Sequence, residues 1–230
     1  MQKNQSTVQK FDTDATITAV VDIPIGHIRF VAADGAGASV EVLPSDPSKS
    51  RDVKAAEQVT VSYDNGVLRV ESPAERKRML GHPGSLEVTV QLPAGSRVDA
   101  KASVAEVSGV GRLGDVTFEG AQGTVKLDET GGARLTLATG DITVGRLNGP
   151  AEVSTQKGDL SIAEAVQGTV TLTTQHGQIS IGAAQGVSAT LDASTGYGRI
   201  DNALKNSDGA GAGLNIHATT SYGSITARSL

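Results

Sequence analysis

The sequence predicts an all-β protein, a β-solenoid-like repeat of short strands preceded by an irregular antiparallel β region. Three observations lead there. Segments of about five residues, apolar at alternate positions, recur roughly every ten residues. Gly, present 28 times, recurs at the starts of these segments. Aromatic residues make up only 3% of the chain and Trp is absent, so the core is built from Val, Ile, Leu and Ala in thin layers rather than from large rings.

Composition bounds the rest. At 230 residues, one large all-β domain and two smaller ones both fit. With 38% apolar and 20% charged residues the chain folds rather than staying disordered. The absence of Cys excludes disulfides, thiolate metal sites and a cysteine nucleophile. A formal net charge of −5 argues against a nucleic-acid or anionic-membrane surface. The one basic cluster, Arg76, Lys77 and Arg78, reads as a solvated loop. Residues 1–10 are polar with no apolar leader, and no run is long enough to span a bilayer, so a cytoplasmic location is expected.

Taken in order, residues 17–20, 27–31, 39–42, 59–61 and 86–90 alternate in hydropathy and read as half-buried antiparallel strands. Asn65-Gly66 between two such runs marks a tight hairpin. Residues 51–58 form the one helical turn, with Asp52 as its cap. Residues 73–84, with two Pro and two Gly, read as an exposed loop. This irregular region, residues 1–102, is expected to cap a repeat region, residues 103–230.

The repeat begins with Gly114-Asp115-Val116-Thr117-Phe118 and closes with Gly223-Ser224-Ile225-Thr226-Ala227. Every second segment starts on a stricter Gly: Gly140, Gly158, Gly177, Gly198 and Gly223, spaced 18, 19, 21 and 25 apart, the last interval lengthened by residues 204–213. A unit of two strands and two turns repeated in this way stacks equivalent residues into columns. The last strand, residues 224–227, is expected to be a bare edge, covered either by a fold-back of 204–213 or by a homodimer.

The columns carry the candidate chemistry. Thr155, Thr174, Thr195 and Thr220, three residues before the repeat Gly, predict an inward hydroxyl ladder bonding between coils or to turn backbone. The Gly-Asp pairs at 115, 141 and 159 resemble the calcium turns of β-rolls. Gln178, Arg199 and Ser224 follow in later coils, however, and leave only Asp141 and Asp159 as a pair, too few for a calcium cage. Two carboxylates one strand apart would also approach a retaining glycosidase pair; ordinary turn chemistry is the simpler expectation. His27, His82, His176 and His217 fall in separate elements without metal-ligand spacing, and residues 209–213 lack the Lys-Ser/Thr of a phosphate loop. No catalytic residue, metal site or cofactor is therefore assigned.

One column names a surface. The residue before each repeat Gly is Thr139, Lys157, His176, Tyr197 or Tyr222, at a turn where side chains point outward. Lys157, His176, Tyr197 and Tyr222 thus form a candidate binding ridge with ring faces and hydrogen-bonding tips.

Val42-Leu43-Pro44-Ser45-Asp46-Pro47, Ala55-Ala56-Glu57-Gln58-Val59 and Val90-Gln91-Leu92-Pro93-Ala94-Gly95-Ser96 add a further signal. So do the Gly-Asp-Ile-Thr-Val units and Thr219-Thr220-Ser221-Tyr222-Gly223-Ser224-Ile225-Thr226. Together they resemble the β-strand-repeat "putative adhesin" family of actinobacteria, a domain of unknown function, over residues 11–228. The resemblance implies the solenoid-like fold and brings over no functional residue. The expectation is a non-catalytic binding or scaffold module for a protein or glycan partner. The alternatives are an enzyme working along a solenoid face, with Asp141, Asp159 and His176 as its players, and an envelope-stress sensor component.

Overall fold

The computed structural model describes residues 8–13, 15–35, 37–73 and 84–230. The expected loop at 73–84 and its basic cluster, with His82, fall almost wholly outside them.

The first six strands and the helix build one end of the molecule. They are β1 (Val8–Phe11), β2 (Thr18–Ala33), β3 (Ala38–Pro44), α1 (Ser50–Gln58), β4 (Thr60–Asp64), β5 (Val67–Glu71) and β6 (Leu86–Pro93). β1–β3, β3–β6 and β4–β5 are antiparallel, and the β4–β5 turn is the expected hairpin, with Asn65 at φ 50° and Gly66 at φ 76°. The helix is present, but Asp52 does not cap it: Lys49 is the N-cap. Asp52 is buried and accepts the Ser85 N–H at 3.0 Å, tying the helix to the start of β6. Just before the helix, the Ser48 hydroxyl, the Lys49 ammonium and the Ser48 N–H all donate to Asp46 and hold its carboxyl down at about 2.

β2 corrects one expectation. It is parallel, not antiparallel, to β5 along its first half and to β6 along its second, so β5 and β6 act as the two strands of an interrupted coil. β2 then pairs in parallel with β7 (Arg97–Arg112), and β7 with β8 (Val116–Thr130). β7 runs through position 102 without a break. Each of these long strands bends midway. In β2 the buried residues are Ala19, Val21 and Ile23 before the bend and Ile28 and Phe30 after it. The change of phase turns both halves toward one core.

From there each coil is two strands meeting at the same bend. β9 (Ala133–Thr139) with β10 (Ile142–Leu147), β11 (Ala151–Lys157) with β12 (Leu160–Ala165), and β13 (Gly168–His176) with β14 (Ile179–Ala183) stack in parallel register. The sheet is thereby folded along the repeat glycines around a shared core of Val, Ile, Leu and Ala with two buried Phe.

The last two coils are out of chain order. β15 (Ala189–Tyr197) and β16 (Ile200–Ala203) come first in sequence, and a 3₁₀ turn at Gly209–Gly211 leads to β17 (Leu214–Tyr222) and β18 (Ile225–Ser229). Yet β17 and β18 sit on β13 and β14, and β15 and β16 lie outside them. The strand expected as a bare edge, 224–227, is therefore interior. It is covered by coil 189–203, not by a fold-back of 204–213 or by a second chain. The inward residues explain the order. Coil 214–229 presents Leu214, Ile216, Ala218, Ile225 and Ala227, whereas coil 189–203 presents Ala189, Leu191, Ala193, Ile200 and the polar Asn202. The more apolar coil takes the position buried on both sides.

Candidate functional site

The bend that folds the sheet also builds the ridge. At each bend the repeat Gly N–H donates to the carbonyl of the residue preceding the Gly on the neighbouring coil. Gly140 bonds to Lys157 at 2.8 Å, Gly158 to His176, Gly177 to Tyr222 and Gly223 to Tyr197, each at 2.9 Å. The coils approach so closely that a Cβ on Gly177, which is not in the left-handed region, would lie 1.9 Å from the Gly158 oxygen. Glycine is required here by contact between backbones rather than by φ alone.

These bonds hold the ridge side chains one strand spacing apart, pointing out of the bend. The ridge order in space is Thr139, Lys157, His176, Tyr222, Tyr197, because the last two coils are exchanged. The His176 and Tyr222 rings stack at 4.9 Å with 7° between planes, and Tyr222 and Tyr197 at 5.0 Å with 4°. Tyr222 remains 51% exposed and Tyr197 70%. The expected free ring faces are thus largely occupied by neighbouring rings. What stays available is the row of ring edges and hydroxyls, the Lys157 ammonium and the outer face of Tyr197.

The Thr column behaves as the sequence predicts. Thr174 donates to the Gly158 carbonyl at 3.1 Å, Thr220 to Gly177 at 3.0 Å and Thr195 to Gly223 at 2.9 Å, binding each bend to its neighbour. The Asp pair is a second set of fasteners. The Asp141 carboxylate accepts the Asp159 N–H at 2.8 Å, and the Asp159 carboxylate accepts the Gln178 N–H at 2.7 Å. These contacts are the turn role that the sequence favoured. His176 belongs to the ring stack, and the other described histidines pair across coils, His27 with Glu106 at 3.6 Å and His217 with Asp192 at 3.4 Å.

Two features escaped the sequence reading. Ile200, inward by pattern, is 42% exposed because, among the described residues, no coil lies beyond it. A shallow groove of about 580 Å³ follows the same bend nearer the N-terminal end, lined by Pro24, Ser72, Ser103, Ala121 and Ala138 and flanked by the Lys101–Glu119 ion pair. Its signal was a run of small residues at the bend position of successive coils. Among the described residues no helix is long and apolar enough to cross a membrane.

A parallel β-solenoid folded along a glycine column, with antiparallel strands at one end, defines the class of protein. The chain belongs to the Toastrack DUF4097 family, which matches residues 18–226. No curated protein matches it. Among solved structures it is similar to a putative adhesin of Bacteroides fragilis, at 10% identity over 96% of this chain and 97% of that one, with a TM-score of 0.48. It is also similar to a putative cell adhesion protein of Clostridium sporogenes, at 12% identity, 98% and 100% coverage and a TM-score of 0.41. A third is a putative lipid binding protein of Parabacteroides distasonis, at 13% identity, 98% and 97% coverage and a TM-score of 0.47. None of these sources supports the actinobacterial part of the resemblance, and at these scores the similarities carry no argument about function.

Proposed function

We propose that the protein is a non-catalytic binding module that engages a protein partner along its bend, through Lys157, His176, Tyr222 and Tyr197. The observation behind this reading is the exposed ring stack. Aromatic rings already ordered by their neighbours lose little side-chain freedom on binding, which is a main cost of association. Tyr hydroxyls and a Lys ammonium along one line supply direction and hydrogen bonds, and Tyr is among the residue types that dominate binding energy. A glycan would call for free ring faces, and the stack leaves one. The groove by Ser103 and Ala121 continues the same line, so an extended partner segment fits better than a compact ligand. Asp141 and Asp159, each bonded to a backbone amide, do not support the enzyme reading.

The test is cross-linking of the native chain in extract of its source cells, with a glycan array in parallel, for wild type and for Tyr197→Ser with Tyr222→Ser. Two lost stacking contacts at an exposed site cost about 1–2 kcal/mol, so the double variant stays folded. The expected result is a protein cross-linked to wild type and to the control Thr143→Lys but absent from the double variant. Identical partner sets for all three chains contradict the ridge. Binding confined to the glycan array replaces the protein partner with a sugar.

A further inference from the structure

We propose that two copies of this chain associate tail to tail through the outermost coil, 189–203, as a two-fold symmetric dimer. The argument does not rest on the ridge reading.

Coils built on β8 to β14 and on β17–β18 have a parallel neighbour on each side, whereas β15 and β16 pair, among the described residues, only with β17 and β18. Along strands of nine and four residues, the alternate N–H and C=O groups that face outward have no strand partner among the described residues, although at the start of β15 the Ala189 N–H donates to the Lys205 carbonyl. Such an edge is a template for another strand. The side chains repeat the message. Ile179 and Ile225, at the same position in interior coils, are 1% and 0% exposed, against 42% for Ile200, and Tyr197 next to it is 70% exposed with one bare ring face. β16 is short and carries Asp201, but along the longer edge strand β15 there is neither Pro nor Lys and one charged residue, Asp192.

Symmetry and charge select a second copy as the occupant. Among the described residues the other end of the molecule offers no equivalent seat. Its outer strands are β1, of four residues, and β4, of five, in antiparallel pairs, without the glycine bend on which a coil docks. Head-to-tail growth therefore has no acceptor, and the surface complementary to the edge is the same edge turned over. A two-fold axis perpendicular to the stack makes the new strand pairing antiparallel and closes the assembly at two. Charge permits the contact. The chain as a whole carries −5, but the outer coil holds only two acids, Asp192 and Asp201, against one base, Arg199, with Lys205 and Asp208 just after it, so like copies meet there with little net repulsion.

Sedimentation velocity on the chain over a concentration series tests this. The expected result is a reversible monomer–dimer equilibrium, with Ile200→Lys weakening dimerisation by about tenfold or more while its thermal midpoint, measured on dilute monomeric chain, stays near that of wild type. Val104→Lys, at an exposed apolar residue of the bend far from this end, leaves the dimer intact. A monomer at every concentration, a polymer, or a dimer indifferent to Ile200→Lys overturns the proposal. Amide exchange supplies an independent reading: residues 189–203 become slower to exchange at high concentration in wild type and not in Ile200→Lys, and equal exchange in both also overturns it. Loss of partner cross-linking in Tyr197→Ser with Tyr222→Ser does not decide it, because Tyr197 belongs to the outer coil as well as to the ridge; the dimer is read from Ile200→Lys, which leaves the ridge intact.

Discussion

Coil 168–183 and coil 189–203 are written in similar letters: Thr174 and Thr195 stand at one position, Gly177 and Gly198 at the next, Ile179 and Ile200 after them. Their surroundings differ. Ile179 is 1% exposed and Ile200 42%, and Thr174 is buried while Thr195 is half-buried. In a stack where each coil touches only its neighbours, burial belongs to a position in the stack and not to a sequence pattern. The same substitution should therefore have different consequences in the two coils.

The largest contrast is between the two isoleucines. Ile179→Asp places a carboxylate without a partner between two apolar layers and should destabilise by about 4 kcal/mol or more. Ile200→Asp in the outer coil should cost less than about 1 kcal/mol, close to an outward control such as Ser180→Lys. Urea unfolding followed by circular dichroism measures all three. With the chain dilute enough to be monomeric, equal losses at 179 and 200 would break the comparison, because they would require a further layer of the same chain beyond the outer coil.

The bend offers a second, smaller contrast. A Cβ on Gly158 would sit 2.0 Å from the Gly140 carbonyl oxygen, at φ +147°, whereas one on Gly211 would meet nothing within 4 Å. Gly158→Ala should lower stability by about 2–4 kcal/mol, and Gly211→Ala should stay within about 0.5 kcal/mol of wild type. A tolerant Gly158 would mean that the coils do not approach at the bend as described, and the ridge spacing would fall with it.

Much of this was legible in the sequence because it is local. Alternation put Ile142, Leu160 and Ile179 inward, all 1% exposed, Asn65-Gly66 set the hairpin, and the repeat glycines located the bend. Neighbour relations were less visible. The direction of β2 was hidden because residues 72–85 interrupt the coil formed by β5 and β6. The exchange of the last two coils was hidden because Tyr197-Gly198-Arg199-Ile200 and Tyr222-Gly223-Ser224-Ile225 fit the same slot. Asn202 at an inward position was the available hint that its coil faces water. The ridge was foreseen as a line of exposed side chains, but ring stacking depends on register between coils, which one chain of letters does not display.

The exchanged order of the last coils is the central structural claim, and the absence of Cys makes it directly testable by engineered disulfides. Thr173 is in register with Thr219, and Thr219 with Ser194, so Thr173 and Ser194 are two strand spacings apart, about 9–10 Å, beyond the reach of a disulfide. Oxidation of the Thr173→Cys, Thr219→Cys variant should give an intramolecular disulfide, read by peptide mapping of the monomer. The Thr173→Cys, Ser194→Cys variant should leave its two thiols free. The reverse outcome, a bond between 173 and 194 and none between 173 and 219, would show that the coils stack in chain order and would contradict the structure described here.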